Sequence, residues 1–301
     1  MDTYMQLDIY GEQSALDSVK AELLRLDSLL STTEPQSDIY RLNQNHSAEV
    51  DESTAELIKK SLEYCADTDG SLDITVYPLA EKWGFIDKNY TIPKQSELDS
   101  LLKNVSYKRV ETDGTKITVP DGFKLDLGAT AKGYAADRAK ALLEESGVKS
   151  AILNLGGTVL AYGEKPDGES WRVGITNPES TDGYMGVIEC RDKIVVTSGS
   201  YERYFVGDDG KRYCHIINPR TGLPADNGTV SVTVVSDDGT KNDALSTALF
   251  VMGAQKAAEY CRANDGFDCV ILTEDKTAYV TEGLADSFSL TGDGEYEKVI
   301  I

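Results

Sequence analysis

The feature that most constrains this chain is a succession of short apolar runs in its middle third. They fall at 150–155, 171–176, 186–190, 194–198 and 213–217, and Gly or Asp-Gly separates them. Runs of that length, punctuated by turn residues, read as β-strands. Helical patterns lie mostly to either side. Leu16, Val19, Leu23, Leu26 and Leu30 recur at steps of three and four, one face of an amphipathic helix. Ser37–Asn43 reads as a short helical turn, Ser53-Thr-Ala-Glu56 as a capping box opening another helix, and Ser96 with Asp99 as a second box. A helix is expected over 131–145, ending near Gly147. A strand at 229–236 precedes consecutive helices at 242–252 and 254–264, and 270–273 with 278–281 forms a closing hairpin. Met5, Leu7 and Ile9 alternate with polar or aromatic residues as an opening strand. This order predicts α+β, with a mixed or antiparallel sheet core flanked by helices. No repeat or long linker divides the chain, so one domain over 1–301, with room for two lobes, is expected.

With 30 basic and 51 acidic residues, the net charge is 30 − 51 = −21. Such a surface repels phosphate backbones and anionic lipid, which excludes nucleic acid and bare membrane as main partners. An anionic nucleotide substrate would need local positive potential, and a divalent cation is its simplest source. No apolar run is long enough for a membrane span. The chain opens directly on strand-like sequence, so a targeting segment, if one existed, would have been removed. The five cysteines show neither CxxC nor zinc spacing and read as small buried hydrophobes, with no disulfide framework expected.

Three segments carry chemistry. In Lys124-Leu-Asp-Leu-Gly-Ala-Thr-Ala-Lys-Gly-Tyr-Ala-Ala-Asp137, a strand-like stretch passes through small residues into a helix, leaving N–H groups free to meet a ligand. It is neither a Walker loop nor a dinucleotide fingerprint. Spacing alone favours a tight turn with Asp126 as its acceptor. Asp243 and Thr247 share one helix face, where a carboxylate and a hydroxyl suit a hard cation; a dipole-favoured Asp and a back-bonded Thr fit as well. His215 ends a strand beside the donor-rich turn Asn218-Pro-Arg-Thr-Gly222, whereas His46 lies in a polar loop and reads as solvated. Ser198-Gly-Ser lacks a nucleophile elbow, which argues against a serine hydrolase.

In this order, six segments resemble the FAD:protein FMN transferase family of ApbE type. They are Met1-Asp-Thr, Ser37-Asp-Ile-Tyr-Arg-Leu-Asn43, Gly70-Ser-Leu-Asp-Ile-Thr-Val-Tyr-Pro-Leu79, Asp126-Leu-Gly-Ala-Thr-Ala-Lys-Gly-Tyr134, His215-Ile-Ile-Asn-Pro-Arg-Thr-Gly222 and Asp243-Ala-Leu-Ser-Thr247. The resemblance implies a single ApbE-like domain that binds FAD and Mg²⁺. Such an enzyme moves FMN onto a Ser or Thr hydroxyl of a client protein and releases AMP. It further implies an extracytoplasmic setting, with a lipid anchor upstream. Met1, Tyr40, Ser71, Leu72, Asp73, Asp126, Lys132 and Ile217 would then contact FAD. The metal would take the main-chain oxygen of Ala129 together with Asp243 and Thr247, with Ser246 nearby. His215 would serve as general base and Asp243 as a catalytic metal ligand. Three departures stand out: Asp2 and Tyr77 where Gly is common in the family, and Ser246 where some relatives carry an acid. Two alternatives remain, a Mg²⁺-dependent FAD pyrophosphatase and a non-catalytic FAD-binding protein. They differ from transfer in whether water, a protein hydroxyl or nothing attacks phosphorus.

Overall fold

A computed structural model describes residues 3–180, 183–291 and 296–301. Among these, eight α-helices are present: α1 (Gln13–Leu30), α2 (Asp38–Asn45), α3 (Glu52–Asp67), α4 (Tyr77–Lys82), α5 (Gln95–Leu101), α6 (Ala131–Glu145), α7 (Gly239–Met252) and α8 (Ala254–Ala263). The first eight strands are β1 (Gln6–Tyr10), β2 (Ser47–Glu49), β3 (Glu111–Asp113), β4 (Lys116–Thr118), β5 (Ser150–Asn154), β6 (Thr158–Gly163), β7 (Trp171–Thr176) and β8 (Tyr184–Cys190). Eight more follow: β9 (Lys193–Gly199), β10 (Tyr204–Val206), β11 (Arg212–Cys214), β12 (Thr229–Ser236), β13 (Asp268–Thr273), β14 (Thr277–Val280), β15 (Phe288–Leu290) and β16 (Glu297–Ile300). The architecture is α+β with a mainly antiparallel sheet, as the order of the patterns implies. Two compact units emerge, one from Arg25–Ala131 and Ser200–Asp226, the other from Asp2–Leu24, Lys132–Gly199 and Asn227–Ile301.

The second unit is built on an eight-stranded sheet ordered β1-β5-β6-β9-β12-β13-β14-β16. Only the β14–β16 pair is parallel. One face of this sheet packs on a three-stranded sheet, β15-β8-β7. Val195, Val235, Val270 and Leu272 from the large sheet meet Trp171, Val173, Ile188 and Phe288 from the small one, all buried. This works because inward residues alternate along each strand, as in Trp171, Val173 and Ile175 of β7. Helix α7 packs on β9 and β12. It is buried nearly all round, with eleven buried residues that include the polar Thr240, Asn242, Asp243 and Ser246, as befits a helix enclosed by its neighbours. The expected hairpin is β13–β14, with Val270 opposite Val280.

The first unit holds the three-stranded sheet β2-β4-β3 and the hairpin β10–β11. Its core gathers Leu79, Trp83, Phe85, Leu98 and Ile217, against which Phe205 and Tyr213 pack. Local expectations needed correction at helix starts. The N-cap of α3 is Asp51, whose side chain accepts from the Ser53 N–H; Ser53 itself lies inside the helix. In α5 the residue that caps is Glu97, accepting from the Lys94 N–H at 2.9 Å, in place of the Ser96/Asp99 pair. Carboxylates out-competed hydroxyls there because they also answer the positive end of the helix. The 213–217 run is a strand only to Cys214; Ile217 makes a lone bridge to Pro224. In α1, Val19, Leu23, Leu26 and Leu30 are buried as the periodicity requires, while Ala15 takes the inner place expected of Leu16.

Candidate functional site

Within the second unit, the first turns of α6 and α7 meet at two glycines. A Cβ on Gly133 would lie 2.0 Å from the Gly239 carbonyl oxygen, and one on Gly239 would lie 2.5 Å from that of Gly133. Only hydrogen fits at either position. The Gly133 N–H belongs to the first turn of α6, where amides lack intrahelical acceptors. It donates instead to Asp243 Oδ2 at 2.9 Å. Asp137, one turn further along α6, accepts from the Gly239 N–H (2.6 Å), the Thr240 N–H (2.9 Å) and the Thr240 hydroxyl (2.6 Å). Burial pushes its carboxyl up from the ordinary range, against the lowering effect of those donors. Asp137 is thus a reciprocal brace for the α7 start.

Asp243 is 3% exposed, and Gly133 is the one donor to its carboxylate among the described residues. A carboxylate can accept about four hydrogen bonds, so its second oxygen keeps capacity for a further partner. One turn along, Thr247 is half-buried and its hydroxyl lies 3.3 Å from Ser198 Oγ. Ser246 is fully buried and donates to the Asp243 carbonyl at 2.9 Å, so it accepts from Ser198, 2.8 Å away. Asn242 ties α7 to the sheet, donating to the Ile194 carbonyl at 2.7 Å and accepting from Ser236. Asp243, Thr247, Ser246 and Ser198 therefore make a hard-oxygen patch at the sheet–helix junction. Among the described residues, no three acidic, His or Cys side chains lie together as a metal cluster. A cation here would meet one carboxylate and neutral oxygens, a donor set suited to Mg²⁺, which keeps waters and takes phosphate oxygens. Lys132, half-buried at the start of α6, has no carboxylate partner among the described residues.

In the first unit, four motif segments converge. Arg220 donates to both the carbonyl (2.6 Å) and the carboxylate (2.7 Å) of Asp69, pinning the His215 turn against the turn that precedes Ser71. Trp83 Nε1 donates to the Gly222 carbonyl at 2.8 Å. The Asp126 N–H donates to the Ile74 carbonyl at 2.8 Å. Asn43 pairs twice with the Leu125 backbone, at 2.7 and 2.9 Å. Asp126 Oδ1 accepts from the Gly128 N–H at 2.7 Å, the tight turn that spacing also allowed. Ala129 and Tyr40 are half-buried, whereas Leu72 and Ile217 are buried. Asp73 is 6% exposed, and its carboxylate accepts from the Thr75 N–H and hydroxyl and from the Tyr107 N–H. Burial raises its pKa even so. Its side chain is committed inside the segment, leaving Ser71 and the backbone to face a ligand. Tyr77 is buried, and its phenol is pushed up to about 12 by burial and by Glu81 and Asp126, so it remains protonated. Met1 lies outside the described residues.

His215 is half-buried, with Phe85 edge-on at 6.5 Å between ring centres. Its Nδ1 lies 3.1 Å from the Arg203 carbonyl, which accepts the His215 N–H as well. A carbonyl only accepts, so Nδ1 carries the proton and Nε2 is the basic nitrogen of the neutral ring. Arg203 in turn donates to the Phe85 carbonyl at 2.8 Å. The ring is oriented from behind, as a general base must be. Sequence reasoning did not single out Asp137, Arg203 or Asn242. Asp137 closes the glycine-rich segment, and that adjacency was the only available signal.

Known proteins resemble this chain over most of its length. The ApbE family profile matches residues 1–271. A Klebsiella pneumoniae FAD:protein FMN transferase is 32% identical over 284 residues, covering 92% of this chain and 88% of that protein. The Treponema pallidum FAD:protein FMN transferase is 33% identical over 293 residues, covering 91% and 81%. The crystal structure of the ApbE protein of Thermotoga maritima superposes with a TM-score of 0.84 at 35% identity, covering 93% of this chain and 92% of that one. The apo flavinyl transferase ApbE of Pseudomonas stutzeri gives 0.81 at 29% identity, covering 91% and 89%. On the family match and on identity across most of both chains, this chain belongs to the ApbE family.

Proposed function

We propose that the chain is a Mg²⁺-dependent flavin transferase, moving FMN from FAD to a Ser or Thr hydroxyl of a client protein and releasing AMP. The observation that carries the reading is the buried Asp243 carboxylate, held by the Gly133 N–H and one helical turn from Thr247. The chain also matches, over most of its length, relatives named for this reaction. Asp243 and Thr247, with the Ala129 carbonyl, would hold the cation. Ser246, committed to the Asp243 carbonyl and to Ser198, supports the pair from behind.

When bound, Mg²⁺ neutralises charge on the pyrophosphate and stabilises the departing AMP. The chain's own groups do the rest. Lys132 adds a positive charge for the phosphates, offsetting a strongly anionic protein. Ser71 and the Asp126 turn offer polar contacts to the nucleotide, and Tyr40, Leu72 and Ile217 offer it surface. His215 Nε2 takes the proton from the incoming hydroxyl, while the Arg203 carbonyl holds Nδ1–H. Phosphoryl transfer relies chiefly on positioning and electrostatics, so braced helix starts and an oriented imidazole are the contributions it asks of a protein. An extracytoplasmic, lipid-anchored setting belongs to the same proposal and rests on the family resemblance alone; fractionation of the native host tests it.

The decisive experiment incubates the protein with FAD, Mg²⁺ and a flavoprotein client domain, followed by intact mass and in-gel fluorescence. A client heavier by one FMN less a water, with AMP released, is the expected result. Steady FMN and AMP formation with unlabelled clients would replace the reading with FAD pyrophosphatase. Stoichiometric FAD binding without turnover would replace it with storage.

A further inference from the structure

Two cysteines stand apart from the catalytic groups. Cys261 lies in the last turn of α8 and Cys269 near the start of β13, and their sulfurs are 3.2 Å apart. Their spacing in the sequence does not pair them, because α8 and β13 meet only once the chain has turned back through 264–267. Cys65, Cys190 and Cys214 are buried with no thiol partner, and burial raises each. Cys261 is the one partly exposed thiol of the five, while Cys269 is buried behind it. Cys261 opens on a surface depression of about 630 Å³, also lined by Lys193, Arg262, Asp265, Phe267 and Asp268. A small disulfide therefore has room to reach it.

We propose that Cys261 and Cys269 form an oxidation site that closes to a disulfide by exchange with a small or protein disulfide. The Cys261 thiolate attacks the incoming disulfide, forming a mixed disulfide and expelling one thiolate. The Cys269 thiol then attacks Cys261 Sγ, and its proton passes to the second thiolate as that group leaves. The pair is oxidised by two electrons, and the incoming disulfide is reduced to two thiols. A covalent S–S bond is about 2.05 Å long, so closure needs a shift of little more than an ångström. The buried Cys269 sulfur, already against Cys261, is suited to resolve and not to initiate.

Closure would fasten the loop 262–268, which seats the first turn of α7. Lys241 donates to the Asp265 carbonyl (3.1 Å) and the Gly266 carbonyl (3.4 Å), and its ammonium lies 5.1 Å from the Phe267 ring centre. Lys241 is two residues before Asp243. The disulfide would thus hold the support of the proposed metal-binding helix, although the oxidation site itself does not depend on that function.

The test uses the whole chain, reduced, freed of reductant, and exposed to 2-hydroxyethyl disulfide, a neutral probe that the acidic rim does not repel. After acid quench and alkylation, trypsin cuts at Lys256, Arg262 and Lys276, separating the two cysteines into peptides 257–262 and 263–276. The expected product is these two peptides joined, lighter by two hydrogens than their sum, with Cys65, Cys190 and Cys214 alkylated. The oxidised protein should melt roughly 5 °C above the reduced one. In Cys261→Ser, Cys269 should stay reduced under the same treatment. Both peptides recovered alkylated, or Cys261 halted as the mixed disulfide, would overturn the proposal. Oxidation of Cys269 in Cys261→Ser would overturn the order of attack.

Discussion

His215 gains its chemical character from one carbonyl. Because the Arg203 oxygen fixes the proton on Nδ1, the ring presents Nε2 as a base. His215→Ala should lower the rate of transfer by about 10²–10⁴-fold, the usual contribution of a positioned base. FAD affinity, measured by fluorescence titration, should hold; equal losses in both would make the residue a binding group. Asp243 differs in kind, since its role is charge. Asp243→Ala should abolish Mg²⁺-dependent turnover by at least about 100-fold, with only small loss of stability, because a single neutral donor is left unpaired. Full activity at any Mg²⁺ concentration would remove Asp243 from the metal site.

Two helix starts held together by glycine form the element on which the site depends. Gly133→Ala places a methyl group against the Gly239 carbonyl, which is backbone and cannot swing aside. The helices must separate, at about 1–3 kcal/mol, and Asp243 moves with α7. Urea unfolding should show that loss, while the Mg²⁺ concentration for half-maximal activity should rise more than stability alone explains. Asp137 secures the same junction. Asp137→Ala removes three accepted hydrogen bonds and should cost about 2 kcal/mol at neutral pH. Its pH dependence has a definite sign. A carboxyl whose pKa is raised on folding binds a proton more readily in the native state. The proton-linked part of its contribution to stability therefore grows as pH falls from above the raised value toward the ordinary carboxylate range, and is lost as pH rises through the folded value. The difference in melting temperature between wild type and Asp137→Ala should widen between neutral and mildly acidic pH; a constant difference would count against a raised carboxyl.

For the whole molecule, a net charge of −21 works against compactness. The ion pairs of the described residues are mostly exposed, as between Arg172 and Glu189 at 3.6 Å, and contribute little. Screening of the general repulsion should therefore dominate. The melting temperature should rise as NaCl is increased from about 10 mM to 150 mM, where the Debye length shortens to about 8 Å. A fall would mean that specific ion pairs outweigh the net charge. On the proposed reading, Lys132 and a cation would offset the same excess toward an anionic substrate.

Much was legible in the sequence because periodicity is local. The strand β7 and the inner face of α1 follow from side-chain alternation or three-four spacing, which burial then enforces, and β9 and β12 from apolar runs buried on both faces. The segment order, which needs no folding to be read, already pointed to the family. Helix caps were less legible, since Asp51 and Glu97 compete with neighbouring hydroxyls within one or two residues, and geometry chooses between them. Partners remote in sequence could not be read at all. That Asp243 answers Gly133, that Asp137 braces Thr240, that Arg203 orients His215, and that Cys261 touches Cys269 depend on long loops closing in one register. Hydrogen bonds and sulfur contacts act over a few ångströms, and only the folded chain brings those atoms within that range.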